Sequence, residues 1–422
     1  MNGDNTSRAI ETVWRMEAPR LVAGLVRMVR DISLAEELAQ EALVGALQSW
    51  PKSGVPDNPG AWLMTTAKRR AVDYFRHNAM VARKLPEIAQ ATPTDASAAP
   101  DPEALLDSGS GDDLLNLMFV SCHPALSPEA QSALTLRLIG GLNTNEIARA
   151  FLVSEATMAQ RIVRAKRTLA EAGERFEFPD SAERQARVGA VLGVLYLIFN
   201  EGYSATTGQD WMRPQLCEEA MRMGRILAQM LPDQSEVHGL VALMELQASR
   251  LMARRNDDGT PILLIDQNRA RWDRTLIGRG LAGIARAEAL SSALGPYGLQ
   301  AAIAACHARA PRSEATDWSQ IARLYGQLAQ INPGPIIELN RAVAIAQAHG
   351  AQAGLDHIEH CVDAEALARY PLFAAARGEL LERLGRFEAA AACFTKAADL
   401  TQNQAERTLM QQRAERLANE GS

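Results

Sequence analysis

Apolar and polar residues along most of the chain alternate with the period of an amphipathic α-helix. A first apolar face near the N-terminus comprises Trp14, Ala18, Leu21, Leu25 and Met28. A second face, in the stretch ISLAEELAQEALVGALQSW, comprises Leu34, Leu38, Ala42 and Leu47. Intervals of three and four place each set on one side of a helix. With a third helix after the turn-rich PKSGVPDNPG, residues 8–84 are predicted to form one helical domain.

Residues 143–170, NTNEIARAFLVSEATMAQRIVRAKRTLA, contain two short amphipathic runs around a three-residue break. The apolar stripes are Ile147, Ala148 and Phe151 in the first run, and Met158, Ile162, Ala165 and Leu169 in the second. Because both stripes must face one core, the two helices meet at a steep angle, as in a helix-turn-helix. The alternative is a solvated amphipathic hairpin without a DNA-binding role.

The second helix of this pair has a polar outward side with several basic residues. That side comprises Glu155, Ala159, Gln160, Arg161, Val163, Arg164 and Arg167. Glutamine and arginine pair with base edges, whereas lysine and arginine neutralise phosphates. This helix is therefore the candidate for reading a DNA groove.

Helix-start signals delimit a compact unit over residues 113–175. Ser127 precedes Pro128, which is the order of an N-cap and a first helical residue. Asn143 with Glu146 three positions later matches a capping box, and Ser154 is placed to cap the next helix.

Residues 85–112 change in character between these two helical regions. They contain Pro, Ala, Ser, Gly and acidic residues but no Lys or Arg. Such a composition is typical of a flexible tether, and its negative charge would repel DNA.

From about residue 180 the chain is again helix-like, and it contains a repeat. Residues 342–361 align with residues 378–400 when Gly350 is set on Gly385, an offset of 35 positions. Each copy is an apolar helix, a glycine turn and an alanine-rich helix, which is the pattern of a tetratricopeptide-like hairpin. Residues 180–422 are predicted as a helical C-terminal domain with tetratricopeptide-like repeats near 336–400.

Composition supports an all-α fold. Hydrophobic residues make up 47% of the 422 residues and aromatics only 5%, which favours packed helices over sheets. A formal net charge of −6 excludes a generic polyanion binder, so nucleic-acid contacts must come from segregated basic patches. One such patch follows Trp62 and comprises Lys68, Arg69, Arg70, Arg76, Arg83 and Lys84.

Several features indicate a cytoplasmic protein that is not attached to a membrane. The five cysteines are scattered without a CxxC pair, which suits a reducing compartment. The first residues lack the pattern of a signal peptide. The longest apolar run, residues 188–199, is well short of the ~20 residues that span a bilayer.

No pattern in the sequence predicts an enzyme or a cofactor. Neither a phosphate-binding Gly-x-x-x-x-Gly-Lys-Ser/Thr loop nor a Gly-x-Ser-x-Gly elbow is present. One helical face carries His357, His360 and Cys361, which are candidate metal ligands by their spacing. The repeat makes this an ordinary packing helix and no fourth ligand is indicated, so no metal is predicted.

Over residues 8–175 the chain resembles bacterial RNA polymerase sigma factors of the extracytoplasmic-function (ECF) type. LAEELAQEALVGAL is similar to that family's polymerase-docking helix. NPGAWLMTTAKRRAVDYFR is similar to its W-L-x-x-I-A-R-N-x-x-x-D-x-x-R segment, and residues 143–170 to its C-terminal helix-turn-helix. The resemblance implies a factor that binds core RNA polymerase, recognises promoter −10 and −35 elements and directs transcription initiation.

The resemblance also implies roles for individual residues. Those implied to bind polymerase are Glu37, Gln40 and Glu41. Those implied near the melted −10 element are Trp62, Lys68, Arg69 and Arg76. Those implied at the −35 duplex are Glu155, Gln160, Arg161, Arg164, Lys166 and Arg167. Arg69 departs from the family, which usually has asparagine there, and Trp62 is equally compatible with a core position.

The remaining C-terminal part resembles a subgroup in which a tetratricopeptide-like domain is fused to the sigma portion. Stretches such as FNEGY and GPYGLQAAIAACHA carry this resemblance, which implies regulation in cis through an intramolecular contact with the sigma domains. The candidate residues for a regulatory interface or pocket are Asp266, Arg269, Trp272 and Asp273. The alternative for these residues is a buried structural network between helices.

Two other classes of protein compete with the sigma factor. A helical-repeat adaptor would not explain the basic 68–84 helix that follows Trp62. A one-component DNA-binding regulator would not explain two DNA-facing modules separated by an acidic tether. The sigma factor accounts for both features.

Overall fold

The structure, a computed structural model, describes residues 3–84, 113–151, 153–172, 181–204, 212–256, 262–401 and 404–420. Over these ranges the chain forms 18 α-helices and a few 3-10 turns, without a β-strand. The all-α expectation is thus confirmed for the described residues. The chain divides into two compact units, residues 1–194 and 195–422. The predicted tether, residues 85–112, lies outside the described residues.

The first unit begins with three packed helices, α1 (Gly3–Val29), α2 (Ile32–Ser53) and α3 (Pro59–Lys84). The side chain of Asp31 caps α2 by accepting a hydrogen bond from the Leu34 amide at 2.8 Å. The buried face of α2 consists of Ile32, Ala35, Leu38, Ala39, Ala42, Ala46 and Trp50. Four of these are alanines, which let neighbouring helices approach closely.

One predicted core position on α2 is wrong. Leu47 was placed on the apolar face, but 47% of its surface is exposed. Trp50 lies one turn further along, is 1% exposed and is the residue that packs inward. The predicted face runs from Leu34 through Leu38 and Ala42 to Leu47 in steps of four and five residues. Because one helical turn takes 3.6 residues, such steps gradually leave the buried face.

Four shorter helices complete the compact part of the first unit: α4 (Asp113–Ser121), α5 (Pro128–Leu138), α6 (Thr144–Ala150) and α7 (Glu155–Glu171). Their predicted starts are confirmed. Ser127 accepts from the Ala130 amide at 3.3 Å, and Ser154 accepts from the Thr157 amide at 3.1 Å. Asn143 and Glu146 form both hydrogen bonds of the capping box.

The helix α8 (Ser181–Tyr203) passes the boundary between the two units. The second unit continues with α9 (Pro214–Met230), α10 (Ser235–Ala248), α11 (Arg274–Leu290), α12 (Pro296–Arg309), α13 (Trp318–Ile331), α14 (Pro335–His349), α15 (Ala351–Cys361), α16 (Pro371–Arg383), α17 (Phe387–Leu400) and α18 (Gln404–Glu420). Consecutive helices pack on one another through most of this series, as expected for stacked helical hairpins.

The predicted repeat corresponds to two such hairpins. Gly350, with φ +99°, lies between α14 and α15. Gly385, with φ +73°, lies in the turn between α16 and α17. Positive φ values favour glycine because it has no Cβ. Both turns therefore require glycine for the same reason, a positive φ at the corresponding position.

None of the described helices is long and apolar enough to cross a membrane. All five cysteines are free thiols, and Cys122, Cys217 and Cys306 are buried. Burial raises the pKa of the Cys122 thiol to about 11, so it packs as a neutral side chain.

Candidate functional site

The outer face of α2 combines acidic, polar and apolar side chains. Glu37, Gln40, Val44 and Leu47 follow each other at intervals of three and four, and Glu41 lies next to Gln40. Val44 is 49% exposed and Leu47 47% exposed, and Arg70 of α3 pairs with Glu41 at 2.8 Å. This face therefore combines charge with two exposed aliphatic side chains, a composition that protein-binding surfaces also have.

The helix α3 presents an aromatic and basic face. Trp62, Arg69 and Arg76 lie seven residues apart and therefore share one side of the helix. Arg69 and Arg76 are exposed, whereas Trp62 is half-buried with its ring edge against Trp50, 5.3 Å between centroids. Trp62 therefore contributes to the packing of the domain while part of its surface stays accessible. Lys68 lies beside this face and is half-buried.

The helix-turn-helix has the two-sided arrangement that its sequence predicts. Met158, Ile162, Ala165 and Leu169 are buried. The exposed members of the predicted DNA-facing set are Glu155, Gln160, Arg164 and Arg167, and Arg161 is half-buried. Val163 is 63% exposed on the same side. The second helix therefore offers a continuous polar and basic surface.

Three members of the predicted −35 set contact other residues of the first unit. Arg167 pairs with Glu171 at 2.7 Å, one turn further along α7. Lys166 points the other way and forms an ion pair with Glu36 of α2. The remaining contact, from Asn145 to Glu155 at 3.1 Å, links the two helices of the motif.

Glu36 joins the three-helix part of the first unit to the helix-turn-helix part. Its Oε1 accepts from Nε of Arg137 on α5 at 2.9 Å, and its Oε2 faces the ammonium group of Lys166. The Glu36 side chain is only 13% exposed. Arg27 of α1 makes a second link, to Asp113 of α4 at 3.1 Å.

Sequence patterns could not identify Glu36. It stands beside Glu37 in the same acidic run, and nothing local distinguishes the two carboxylates. A rotation of about 100° along the helix turns Glu36 towards α5 and α7 and Glu37 towards solvent. Partners 101 and 130 positions away in the chain decide the difference.

The four candidate regulatory residues in the second unit have different surroundings. Arg269 is buried and donates to the carbonyls of His307 and Ala310, at 2.6 and 2.9 Å. Trp272 is also buried, at 3% exposure. Asp273 caps α11, and Asp266 is exposed. Arg269 and Trp272 are therefore buried between helices, and a regulatory role for the four residues stays a prediction.

The two histidines of the candidate metal site have partners within the protein. His357 Nε2 lies 2.8 Å from Glu338 Oε2, and His360 Nδ1 lies 2.7 Å from the Asp356 carbonyl oxygen. Among the described residues no group of three or more His, Cys, Asp or Glu side chains is arranged to hold a metal ion.

Three segments of the chain match known protein families. Residues 13–80 match Sigma-70 region 2, and residues 116–169 match Sigma-70, region 4. Residues 187–288 match a family of unknown function (DUF6596). These segments correspond to the α1–α3 part, the helix-turn-helix part and the beginning of the second unit.

Relatives fall into two groups by the share of the chain that they cover. An uncharacterized protein of Rhizobium meliloti (strain 1021) is 41% identical over 406 residues, 95% of this chain and 94% of its own length. The RNA polymerase sigma factor CarQ of Myxococcus xanthus is 31% identical over 144 residues, 34% of this chain and 77% of that protein. The probable ECF RNA polymerase sigma factor SigI of Mycobacterium tuberculosis is 28% identical over 162 residues, 38% of this chain and 54% of that protein. No solved structure matches the chain.

A basic helix-turn-helix and a three-helix domain with sigma-70 sequence features define a transcription initiation factor. The chain belongs to the ECF-type sigma factors and carries a helical C-terminal extension. Proteins of this class bind core RNA polymerase and promoter DNA and are not enzymes. The repeats and the family of unknown function lie in the extension.

Replacing Glu36 with glutamine should loosen the first unit. The half-buried Arg137 and Lys166 would then lack their anion, which costs about 1–3 kcal/mol. Hydrogen exchange followed by mass spectrometry should show roughly 5- to 150-fold faster exchange in α2, α5 and α7.

Glu171→Gln is the matched control, because its pair with Arg167 is exposed on both sides. Its exchange pattern should be that of the native chain. Equal protection of α5 and α7 in Glu36→Gln and the native chain would contradict the role of Glu36.

Proposed function

We propose that this sigma factor binds polymerase through the outer face of α2, contacts the −10 element through α3 and reads the −35 element through α7. The domains are residues 8–84 for polymerase and −10 contacts, 113–175 for −35 contacts and 180–422 for regulation in cis. The observation that carries the proposal is the exposed side of α7, where Gln160, Arg164 and Arg167 lie opposite a fully buried stripe.

The α2 surface supports a polymerase contact by its chemistry. Glu37 and Gln40 are exposed on the same face as Val44 and Leu47, so an acidic and a polar side chain adjoin a small apolar centre. Protein interfaces commonly combine such a centre with a polar rim. The Arg70–Glu41 pair is about half exposed on both sides, so a partner's cation can compete for Glu41 at small cost.

The α3 surface supports contact with a melted strand. Single-stranded nucleic acid is held by aromatic side chains that stack with bases and by cations that follow the backbone. Trp62, Arg69 and Arg76 provide that combination along one line of the helix. Arg69 supplies a positive charge where the family usually has asparagine, so it favours strand binding without a base-specific amide.

The α7 surface supports groove recognition. Gln160 and Arg164 are one turn apart and exposed, which is the spacing at which two side chains reach neighbouring base edges. Arg161 is half-buried at the edge of this surface. Lys166 contributes to phosphate binding only in an arrangement that breaks its ion pair with Glu36.

Regulation by the second unit in cis is supported by its construction. Its stacked helical hairpins are of the kind that hold peptides or other domains. Asp266 is the one exposed member of the candidate set that is not engaged in capping a helix. Initiation by core polymerase places the action of the whole chain in the cytoplasm.

Glu37→Lys combined with Glu41→Lys should weaken polymerase binding by at least tenfold, because two attractive charges become repulsive. The measurement is the affinity of the purified chain for core polymerase by fluorescence titration. Glu171→Lys, an exposed charge reversal on α7, should leave that affinity unchanged. Unaltered binding by the double variant would remove α2 as the polymerase surface.

Gln160→Ala combined with Arg164→Ala should reduce promoter-specific initiation by at least about 30-fold, since two paired base contacts of about 1–3 kcal/mol each are removed. Run-off transcription on a library of promoter fragments measures this effect. Polymerase affinity should stay at the native level, and Arg323→Ala, at an exposed position of α13, is the control for loss of an arginine. Loss of polymerase binding would contradict the division of labour between α2 and α7.

A chain ending at residue 175 should give a transcript yield per bound polymerase that differs severalfold from that of the full chain. The physical reason is that removal of the second unit removes any contact it makes with the sigma domains or polymerase. Run-off transcription with both forms and the same polymerase tests this. Identical yields at every promoter would make the second unit irrelevant to initiation.

A further inference from the structure

A cavity of about 410 Å³ lies within the second unit, where α8, α10, α12, α13 and α14 converge. This volume is in the range of pockets that bind small molecules. All of its lining residues belong to the second unit. Neither the polymerase surface nor the DNA surfaces of the proposed function use it.

The lining of the cavity carries positive charge and no negative charge. Arg250 is the charged side chain among the lining residues, which include no carboxylate. Arg250 donates to the hydroxyl of Tyr203 at 2.6 Å and to Oε1 of Gln247, and its guanidinium lies 5.8 Å from the Trp272 ring centroid. Within the described parts of the chain no carboxylate forms an ion pair with Arg250. Its charge is thus held by neutral dipoles and aromatic rings.

A second cation reinforces this field. Arg269 is buried behind the cavity wall and donates to two carbonyls and to Thr316 Oγ1 at 3.0 Å. Burial, Arg250 and Arg269 together lower the pKa of His307 to about 3, so the imidazole that lines the cavity is neutral at pH 7. The Nδ1 atom of His307 is shielded from solvent and has no hydrogen-bond partner among the described residues.

Further donors line the cavity without protein partners. Tyr325, Asn332 and Asn340 make no side-chain hydrogen bond to another residue in the described ranges. Burial raises the pKa of Tyr325 to about 12, so its hydroxyl keeps its proton and donates. Asn332 and Asn340 are exposed, which places them where the cavity opens to solvent.

Besides the polar residues, which also include Tyr196, Gln247 and Gln300, aliphatic side chains line the cavity. Leu243, Ile303, Leu328 and Ile337 line the cavity beside the polar groups. A purely inorganic anion would leave this surface uncovered, whereas an organic molecule would bury it and gain about 25 cal/mol per Å². The lining therefore has two parts, a cationic donor cluster and an aliphatic wall.

From this geometry we infer that the second unit binds a small organic carboxylate, with the carboxylate at Arg250 and Tyr325 and an aromatic or aliphatic body against the leucine and isoleucine wall. The site does not depend on the proposed function, because binding is measured on the protein without polymerase or DNA. Its effect on initiation, through regulation in cis, does rest on that proposal.

The experiment is isothermal titration calorimetry of the full chain with benzoate, phenylacetate and hexanoate. Benzyl alcohol, which keeps the aromatic body without the charge, and inorganic phosphate, which keeps a charge without the body, are titrated in parallel. At least one carboxylate should bind with one site per chain, and both comparison compounds should bind at least tenfold more weakly.

Arg250→Gln should weaken carboxylate binding at least tenfold, and Asn340→Asp should do the same by adding a negative charge at the opening. The second variant changes an exposed residue, so it keeps the test valid if Arg250→Gln fails to fold. Arg323→Gln, an exposed arginine on α13 that does not line the cavity, should bind like the native chain.

Absence of carboxylate binding would overturn the inference, and so would equal binding of benzyl alcohol or tighter binding of phosphate. Native affinity in both Arg250→Gln and Asn340→Asp would overturn the assignment of this cavity. None of these outcomes bears on whether the chain is active with polymerase, so the inference and the proposed function fail separately.

Discussion

The carboxylate of Glu36, held between Arg137 and Lys166, is the interaction on which the arrangement of the first unit depends. All three side chains are largely withdrawn from water, so each cation requires this anion. The ion pair between Lys166 and Glu36 holds α7 against α2. With Lys166 turned inward, the exposed side of the helix keeps Gln160, Arg164 and Arg167.

The helix α2 shows how one element serves both packing and recognition. Its inner face is built from alanines with Trp50 at the end, which brings α1 and α3 close. The larger Val44 and Leu47 lie outside, on the face that also carries Glu37 and Glu41. Small residues inside and exposed aliphatic residues outside are what a helix needs when its partner is another protein.

Two arginines of the second unit have neutral partners in place of a carboxylate such as Glu36. Arg269 donates to carbonyls and to Thr316, and Arg250 donates to Tyr203 and Gln247 and lies near an aromatic ring. Neutral partners satisfy the donors without cancelling the charge. The field of both cations therefore persists in the cavity, where burial and this field together lower the pKa of His307 and keep it uncharged.

Local patterns in the sequence determined the helices, their caps, the helix-turn-helix and the paired glycines at positions 350 and 385, because each depends on residues within a few positions of one another. The same patterns carried the family resemblance, but the roles implied for individual surface residues stay predictions. Only the tertiary structure separated Glu36 from Glu37, moved Leu47 to the surface and placed Arg269 and Trp272 in the interior. Those outcomes depend on partners far away in the chain and on small rotations of whole helices, which a one-dimensional pattern does not contain.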